Sequence, residues 1–201
     1  MEISTTMIKE LREKSGAGMM DCREALRQTE GDVQKALDFL RQKGIASADK
    51  KRDRLTGEGR VESYIHSNGK IGVLVELNCE TDFVAKTDDF KSLCHEIAMH
   101  IAALSPVYVS REEVPKDLVD SELAAYRKVA SEEGKKPEIA EKIATGKVDK
   151  YFEKQCLLDQ PFVRDDSKSV GEVVREAVGR LGENIKVTRF TRFALGEGVK
   201  D

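Results

Sequence analysis

Several features of membrane proteins and of enzymes are missing from this sequence of 201 residues. It has no tryptophan and few aromatic residues, and its hydrophobic content of 39% is only slightly above its charged content of 35%. This balance indicates a modest core beneath a highly charged surface. No apolar run approaches the roughly 18 residues that a membrane span needs, and the N-terminus lacks the basic-then-apolar pattern of a signal peptide. We therefore expect a cytoplasmic protein that does not associate with membranes.

A strong charge of either sign is also missing, since the formal net charge is only −3. A general nucleic-acid binder usually has a basic domain or a basic stripe. We therefore expect a protein partner and no direct contact with nucleic acid. The sequence leaves the oligomeric state open, so a homodimer stays an alternative to the monomer.

Motifs for catalysis and for metal or nucleotide binding are missing as well. The four cysteines are widely spaced, which is typical of reduced packing thiols; they are Cys22, Cys79, Cys94 and Cys156. Cys94, His95 and His100 fall on one predicted helix, but adjacent helical residues point about 100° apart, so Cys94 and His95 are poorly placed to share a metal or a proton. A Gly-x-x-x-x-Gly-Lys phosphate loop is lacking too. We expect no catalytic site, cofactor or bound metal.

The first 45 residues read as three short helices. Apolar residues recur at helical spacing, Asp32 is a suitable N-cap for the third helix, and Gly44 is placed to end it. Residues 46–57 form a charged connector without a sustained apolar stripe, which is typical of a solvated linker or a helix end. The sequence therefore predicts a helical domain over 1–45 and a linker over 46–57.

Residues 58–201 read as an α+β core domain. The Asn68-Gly69 pair between the apolar runs 61–66 and 71–77 predicts a β-hairpin. A third strand is predicted over 184–195. The intervening helices are predicted from near Thr87 with an apolar stripe that reaches Ala102, over 118–130, over 137–145 with Gly146 as the stop, and from Val170 until Gly182 stops it. The fold class is thus α+β, with a small antiparallel sheet of about three strands covered by helices.

One connection carries an aromatic residue where a polar turn is expected. Residues 78–84 read Asn-Cys-Glu-Thr-Asp-Phe-Val, and Phe83 lies between a predicted strand and a predicted helix. This stretch closely resembles the Thr-Asp-Phe-Val segment of the elongation factor Ts family. Four further blocks resemble the same family in the same order, at residues 8–22, 97–103, 160–163 and 192–198. The length resembles the family's short form, without room for the second core subdomain, coiled-coil insertion and C-terminal module of longer members.

The resemblance implies a fold, a partner and a set of site residues. The N-terminal bundle would be of the ubiquitin-associated type, and the protein would be a guanine-nucleotide exchange factor for elongation factor Tu, without a catalytic site of its own. It would bind the GDP form of its partner during translation elongation and disturb the partner's magnesium site. The implied residues for that disturbance are Thr81, Asp82, Phe83 and Val84. The implied docking residues are Arg12, Met19 and Met20, with Met99 and His100 in a second contact.

Two alternatives stay open at this level. Phe83 could be tucked under its own domain as a core residue. The protein could also be an adaptor whose N-terminal bundle binds a peptide or a ubiquitin-like ligand, although only fold analogy supports that function. An adaptor of this kind would leave GDP release from elongation factor Tu unchanged.

Overall fold

The computed structural model describes residues 3–198 and confirms a mixed α+β fold. The helices, in chain order, are α1 (Thr5–Ser15), α2 (Met19–Gln28), α3 (Val33–Lys51), α4 (Asp82–Ala85), α5 (Asp88–Leu104), α6 (Lys116–Glu132), α7 (Pro137–Gln155) and α8 (Val170–Leu181). The strands are β1 (Glu58–Ile65), β2 (Ile71–Cys79), β3 (Pro161–Phe162), β4 (Asp165–Ser169) and β5 (Lys186–Ala194). None of the helices within the described range is both long and apolar enough to cross a membrane.

The main sheet has the strand order β1-β2-β5, so β2 is its central strand. The predicted hairpin is confirmed: the His66 N–H donates to the Ile71 carbonyl over 2.9 Å, and Gly69 adopts a φ of +67° in the turn. Glycine tolerates that left-handed conformation without steric cost. A second sheet, which the sequence did not predict, pairs β3 with β4 in antiparallel register.

The chain divides into two compact units. The first unit comprises the chain up to residue 62 together with 75–96 and 172–188, and the second comprises 63–74, 97–171 and the chain from 189 onward. The elements β1, β2, α5, α8 and β5 each contribute residues to both units. The division into 1–45, 46–57 and 58–201 therefore stays a sequence-based prediction.

The helices α1, α2 and α3 of the first unit enclose a core of their own. Leu11, Cys22 and Leu26 are fully buried there. Helix α3 begins as predicted, because the Asp32 carboxylate accepts a hydrogen bond of 3.0 Å from the Lys35 N–H. This cap satisfies a backbone donor that the helix itself leaves without a partner.

The predicted end of this helix at Gly44 is wrong, since α3 continues to Lys51 through the first part of the predicted linker. The reason lies in packing against α8. A Cβ atom added to Gly179 would lie 2.6 Å from the Gly44 Cα atom, well inside contact distance. The two glycines thus allow the backbones of α3 and α8 to touch, and Gly44 serves this approach instead of ending a helix.

The second unit contains a helical hairpin of α6 and α7. The two helices are linked by a short turn, and the Arg127 guanidinium binds the Glu141 carboxylate through two hydrogen bonds of 2.5 and 2.7 Å. The predicted stop at Gly146 is wrong, because α7 runs without interruption to Gln155. A glycine inside a helix costs only about 1 kcal/mol relative to alanine, and the buried Ala144 and Val148 on either side secure the helix there.

Candidate functional site

The segment singled out by the sequence forms α4, a single turn of helix directly after β2. Phe83 in this turn is 79% exposed, whereas Phe90 at the start of α5 is fully buried. Thr81 precedes the turn as its N-cap, and its side chain accepts a hydrogen bond from the Val84 N–H at 3.5 Å. Thr81, Asp82 and Val84 are half-buried. The structure therefore presents the Phe83 ring to solvent while its neighbours form the base of the turn.

The backbone of this segment is held on both sides of Phe83. On the N-terminal side, the Cys79 thiol donates to the Thr81 carbonyl at 3.2 Å. On the C-terminal side, the Thr87 hydroxyl donates to the Val84 carbonyl at 2.8 Å and accepts from the Phe90 N–H at 3.2 Å. An exposed aromatic side chain on a fixed backbone loses little conformational entropy when it is buried against a partner.

The groups that hold the N-terminal side most firmly are not indicated by any pattern in the sequence. One oxygen of the Glu183 carboxylate accepts from the backbone N–H groups of Glu80 and Thr81, at 3.1 and 3.0 Å. Its other oxygen accepts from the Thr81 hydroxyl at 2.6 Å. The only local signal was a polar residue directly after the helix stop Gly182, which does not reveal a contact 102 residues away.

The N-terminal docking candidates lie at the start of α2 and on α1. Met20 is 75% exposed, and Arg12 is also exposed near the end of α1. Met19 is half-buried and packs against the core of α1, α2 and α3. Arg12 and Met20 can therefore contact a partner directly, while Met19 contributes mainly to the packing of the three N-terminal helices.

The second pair of candidates lies in the second unit, and one of the two is internal. His100 is fully buried: its Nδ1 accepts from the Val163 N–H at 3.2 Å, so Nε2 carries the proton and donates to the Gln160 side-chain oxygen at 2.9 Å. Burial lowers the pKa of this imidazole. A direct contact between His100 and a partner would require this core to open, so we correct its expected docking role to a structural one. Met99 is half-buried.

The cysteines behave as packing residues. All four are free and buried. Burial raises the pKa of Cys79 to about 11, that of Cys156 to about 11 and that of Cys94 to about 12. These three thiols are therefore protonated at neutral pH and are poor nucleophiles. Among residues 3–198, no group of three or more ligating side chains is placed to hold a metal ion.

Comparisons with known proteins agree with the resemblance seen in the sequence. The family model described as "Elongation factor TS" matches residues 48–197. An elongation factor Ts of Anaeromyxobacter sp. is 57% identical over 200 residues, which cover 99% of this chain and 91% of the relative. That of Heliobacterium modesticaldum is 53% identical over 197 residues, covering 98% of this chain and 92% of the relative.

One relative is matched over its entire length. The elongation factor Ts of Fervidobacterium nodosum is 53% identical over 197 residues, and the match covers 98% of this chain and 100% of that protein. The family model matches three quarters of the chain and the relatives extend the match to nearly all of it, so this chain belongs to the elongation factor Ts family of translation elongation factors.

Proposed function

We propose that this protein is a guanine-nucleotide exchange factor for elongation factor Tu. It binds the GDP form of that partner in the cytoplasm, disturbs its magnesium site and promotes GDP release. The observation that carries the proposal is the 79% exposure of Phe83 on a backbone held at both ends, within the segment that resembles the family's Thr-Asp-Phe-Val motif. The protein itself is not an enzyme: the nucleotide and its chemistry belong to the partner.

The energy that exchange requires exceeds what one side chain supplies. A nucleotide held at nanomolar affinity is bound by about 12 kcal/mol, and burying one phenylalanine contributes about 1.5–3 kcal/mol. Linkage requires that the factor and the nucleotide weaken each other's binding equally. Phe83 therefore acts as a wedge that makes the partner lose other contacts, and it does not displace the nucleotide directly.

The magnesium ion of the partner is the contact most sensitive to such a wedge. Mg²⁺ needs near-ideal octahedral geometry and usually combines a few protein oxygens with phosphate oxygens and water. A small shift of its ligands therefore weakens both the ion and the phosphates. Asp82, which pairs with Lys86 at 2.6 Å, would reposition groups of the partner beside the wedge, while Thr81 and Val84 fix the shape of the turn.

The affinity for the partner comes mainly from a separate surface in this proposal. Arg12 and Met20 are exposed on the N-terminal helices and would dock against the nucleotide-binding domain of elongation factor Tu. Arginine and flexible methionine side chains are both suited to such contacts. Met99 would contribute to a second contact. Docking and wedging are thereby assigned to different residues.

A stopped-flow measurement tests the proposal against the adaptor alternative. Elongation factor Tu loaded with fluorescently labelled GDP is mixed with excess unlabelled GDP, with and without this protein. An exchange factor raises the release rate of the label, and this rate increases with the concentration of the exchange factor until it reaches a limit. An adaptor that binds peptides or ubiquitin-like ligands leaves the release rate unchanged, and that result would refute the proposal.

A further inference from the structure

The Glu183 carboxylate is the hub of a set of hydrogen bonds beneath the Phe83 turn. It accepts from two backbone N–H groups and one hydroxyl of the Glu80-Thr81 pair, over 3.1, 3.0 and 2.6 Å. Hydrogen bonds to an ionised acceptor are roughly twice as strong as neutral ones. Because these donors lie immediately before α4, the carboxylate fixes the direction in which the helical turn leaves β2.

Residues 80–81 and residues 183–184 are also joined by hydrogen bonding in the opposite direction, with a backbone N–H of the later segment donating to a carboxylate of the earlier one. The Glu80 carboxylate accepts from the Asn184 N–H at 2.7 Å and from the Arg54 guanidinium at 3.3 Å. The hydrogen bond from Asn184, with a smaller contribution from Arg54, lowers the pKa of Glu80. We call this reciprocal arrangement of Glu80, Thr81, Glu183 and Asn184 the clasp.

The clasp is itself anchored to the segment after α3. Asn184 is only 4% exposed, and its side-chain amide donates to the Arg52 and Arg54 carbonyl oxygens at 3.1 and 2.9 Å. Asn184 thereby ties the clasp to the backbone after α3, and all the residues involved lie in the first unit.

The turn that carries Phe83 needs such support. Helix α4 has four residues, far fewer than the roughly 12 that an isolated helix needs to be stable in water. Its own cap is weak, because the Thr81 oxygen accepts from the Val84 N–H only at 3.5 Å, near the limit for a hydrogen bond. The short bond from the Thr81 hydroxyl to Glu183 holds that capping oxygen in place.

We propose that Glu183 is a positioning residue for nucleotide exchange, which fixes the Phe83 turn in the orientation that acts on the partner. This inference rests on the proposed exchange function. It predicts that Glu183 affects the step performed by Phe83 and leaves docking through Arg12 and Met20 intact. In kinetic terms, the limiting rate of GDP release should fall while the half-saturating concentration of the factor stays nearly constant.

The test uses the full chain and follows labelled GDP leaving elongation factor Tu across a range of factor concentrations. Glu183→Ala should lower the limiting release rate by about 3- to 30-fold and change the half-saturating concentration by less than about threefold. Glu183→Gln should restore most of the rate, because its amide oxygen accepts the two backbone N–H groups and its NH₂ group can donate to the Thr81 hydroxyl.

A matched control separates this role from general loss of stability. Glu113 also uses a carboxylate oxygen to accept from a backbone N–H, that of Val109 at 2.8 Å, but it belongs to the second unit. Glu113→Ala should keep the limiting rate of the unaltered protein. If both alanine variants lower that rate alike, the assigned role of Glu183 is wrong.

A double-mutant cycle with Phe83→Ala decides whether Glu183 acts through the ring. In the Phe83→Ala background, Glu183→Ala should have almost no further effect, whereas independent effects would multiply. Fully multiplicative effects, or an unchanged limiting rate for Glu183→Ala, overturn the inference even if the unaltered protein accelerates release. If the unaltered protein fails to accelerate release, the exchange function itself has failed. Should Glu183→Ala not fold, Thr81→Val, which lacks the donating hydroxyl, takes its place in the cycle.

Discussion

Truncating Phe83 separates its effect on function from its effect on folding. About a fifth of Phe83 is buried, and a fully enclosed phenylalanine buries roughly 200 Å². The buried fifth, about 40 Å² at about 25 cal/mol per Å², contributes about 1 kcal/mol to folding. Phe83→Ala should therefore lower the melting temperature by only about 2–4 °C. Its effect on exchange should be larger, about 2–4 kcal/mol of coupling or roughly 30- to 1,000-fold in release rate.

The matched control for this substitution is Phe90→Ala. Phe90 lies seven residues further along the chain, in the same unit, and is fully buried. Removing a core phenylalanine costs about 3–5 kcal/mol of folding stability because a cavity remains. Phe90→Ala should thus lower the melting temperature far more than Phe83→Ala. At temperatures where it is folded and at saturating concentration, it should retain more exchange activity than Phe83→Ala.

The assay combines thermal unfolding with stopped-flow release of labelled GDP, expressed per folded molecule. The reasoning would be refuted if Phe83→Ala unfolded at a much lower temperature while its release rate per folded molecule stayed normal. Phe83 would then be a core residue in solution, and the active surface would lie elsewhere. A normal melting temperature with a normal release rate would equally remove Phe83 from the mechanism.

Three further outcomes are expected. Replacing Arg12 and Met20 together by alanine should raise the half-saturating concentration of the factor about tenfold or more and keep the limiting release rate; a lower limiting rate at unchanged affinity would contradict the docking role. A variant with all four cysteines replaced by alanine should, if it folds, retain most of its exchange activity, because the Glu183 carboxylate still holds Thr81 when the Cys79 thiol is absent. Elemental analysis of the unaltered protein should find no zinc, and one zinc per chain would contradict this. Below about pH 6.5, the unfolded chain binds a proton on His100, whereas the buried imidazole of the folded protein does not. Each unit by which the pH is lowered in this range should therefore reduce the free energy of unfolding by up to about 1.4 kcal/mol. Urea titrations at several pH values between 5 and 7 give the free energy of unfolding, and it should depend less steeply on pH in His100→Gln than in the unaltered protein. An equal dependence on pH in the two proteins would show that the imidazole is not held neutral.

Local signals in the sequence predicted the elements whose ends are decided locally. Asn68-Gly69 predicted the hairpin, in which Gly69 adopts a positive φ and the Asn68 side-chain oxygen accepts from the Lys70 N–H, and Asp32 predicted the start of α3 because its carboxylate caps that helix. Gly182 has a φ of +80° and does follow α8. In each case the deciding contacts lie within a few residues along the chain.

Features decided by distant contacts could not be predicted in this way. Gly44 and Gly146 look like helix ends in the sequence, yet α3 and α7 both continue beyond these glycines because buried side chains pack on both sides of each glycine. The family resemblance implied a surface contact for His100, although this residue lies three positions after the buried Ile97 on the same helical face. Its partner Gln160 is 60 residues away.

The candidate site also combines features set by local sequence with features set by distant contacts. The sequence identified Phe83 through its motif, and its surroundings could be predicted only as far as a turn between a strand and a helix. The clasp joins Glu80 and Thr81 to residues more than 100 positions later, and no periodicity or cap pattern indicates such a pairing. The sequence thus identified the residue proposed to act on the partner, while its support became visible only in three dimensions.

The magnesium dependence of GDP release tests the central claim most directly. Release of labelled GDP from elongation factor Tu is measured at millimolar free Mg²⁺ and after chelation, each with and without saturating amounts of this protein. If the protein acts by disturbing the magnesium site, chelation removes the same contacts, and the acceleration should shrink by about tenfold or more. An acceleration of equal size with and without Mg²⁺ would show that the protein promotes release by another route.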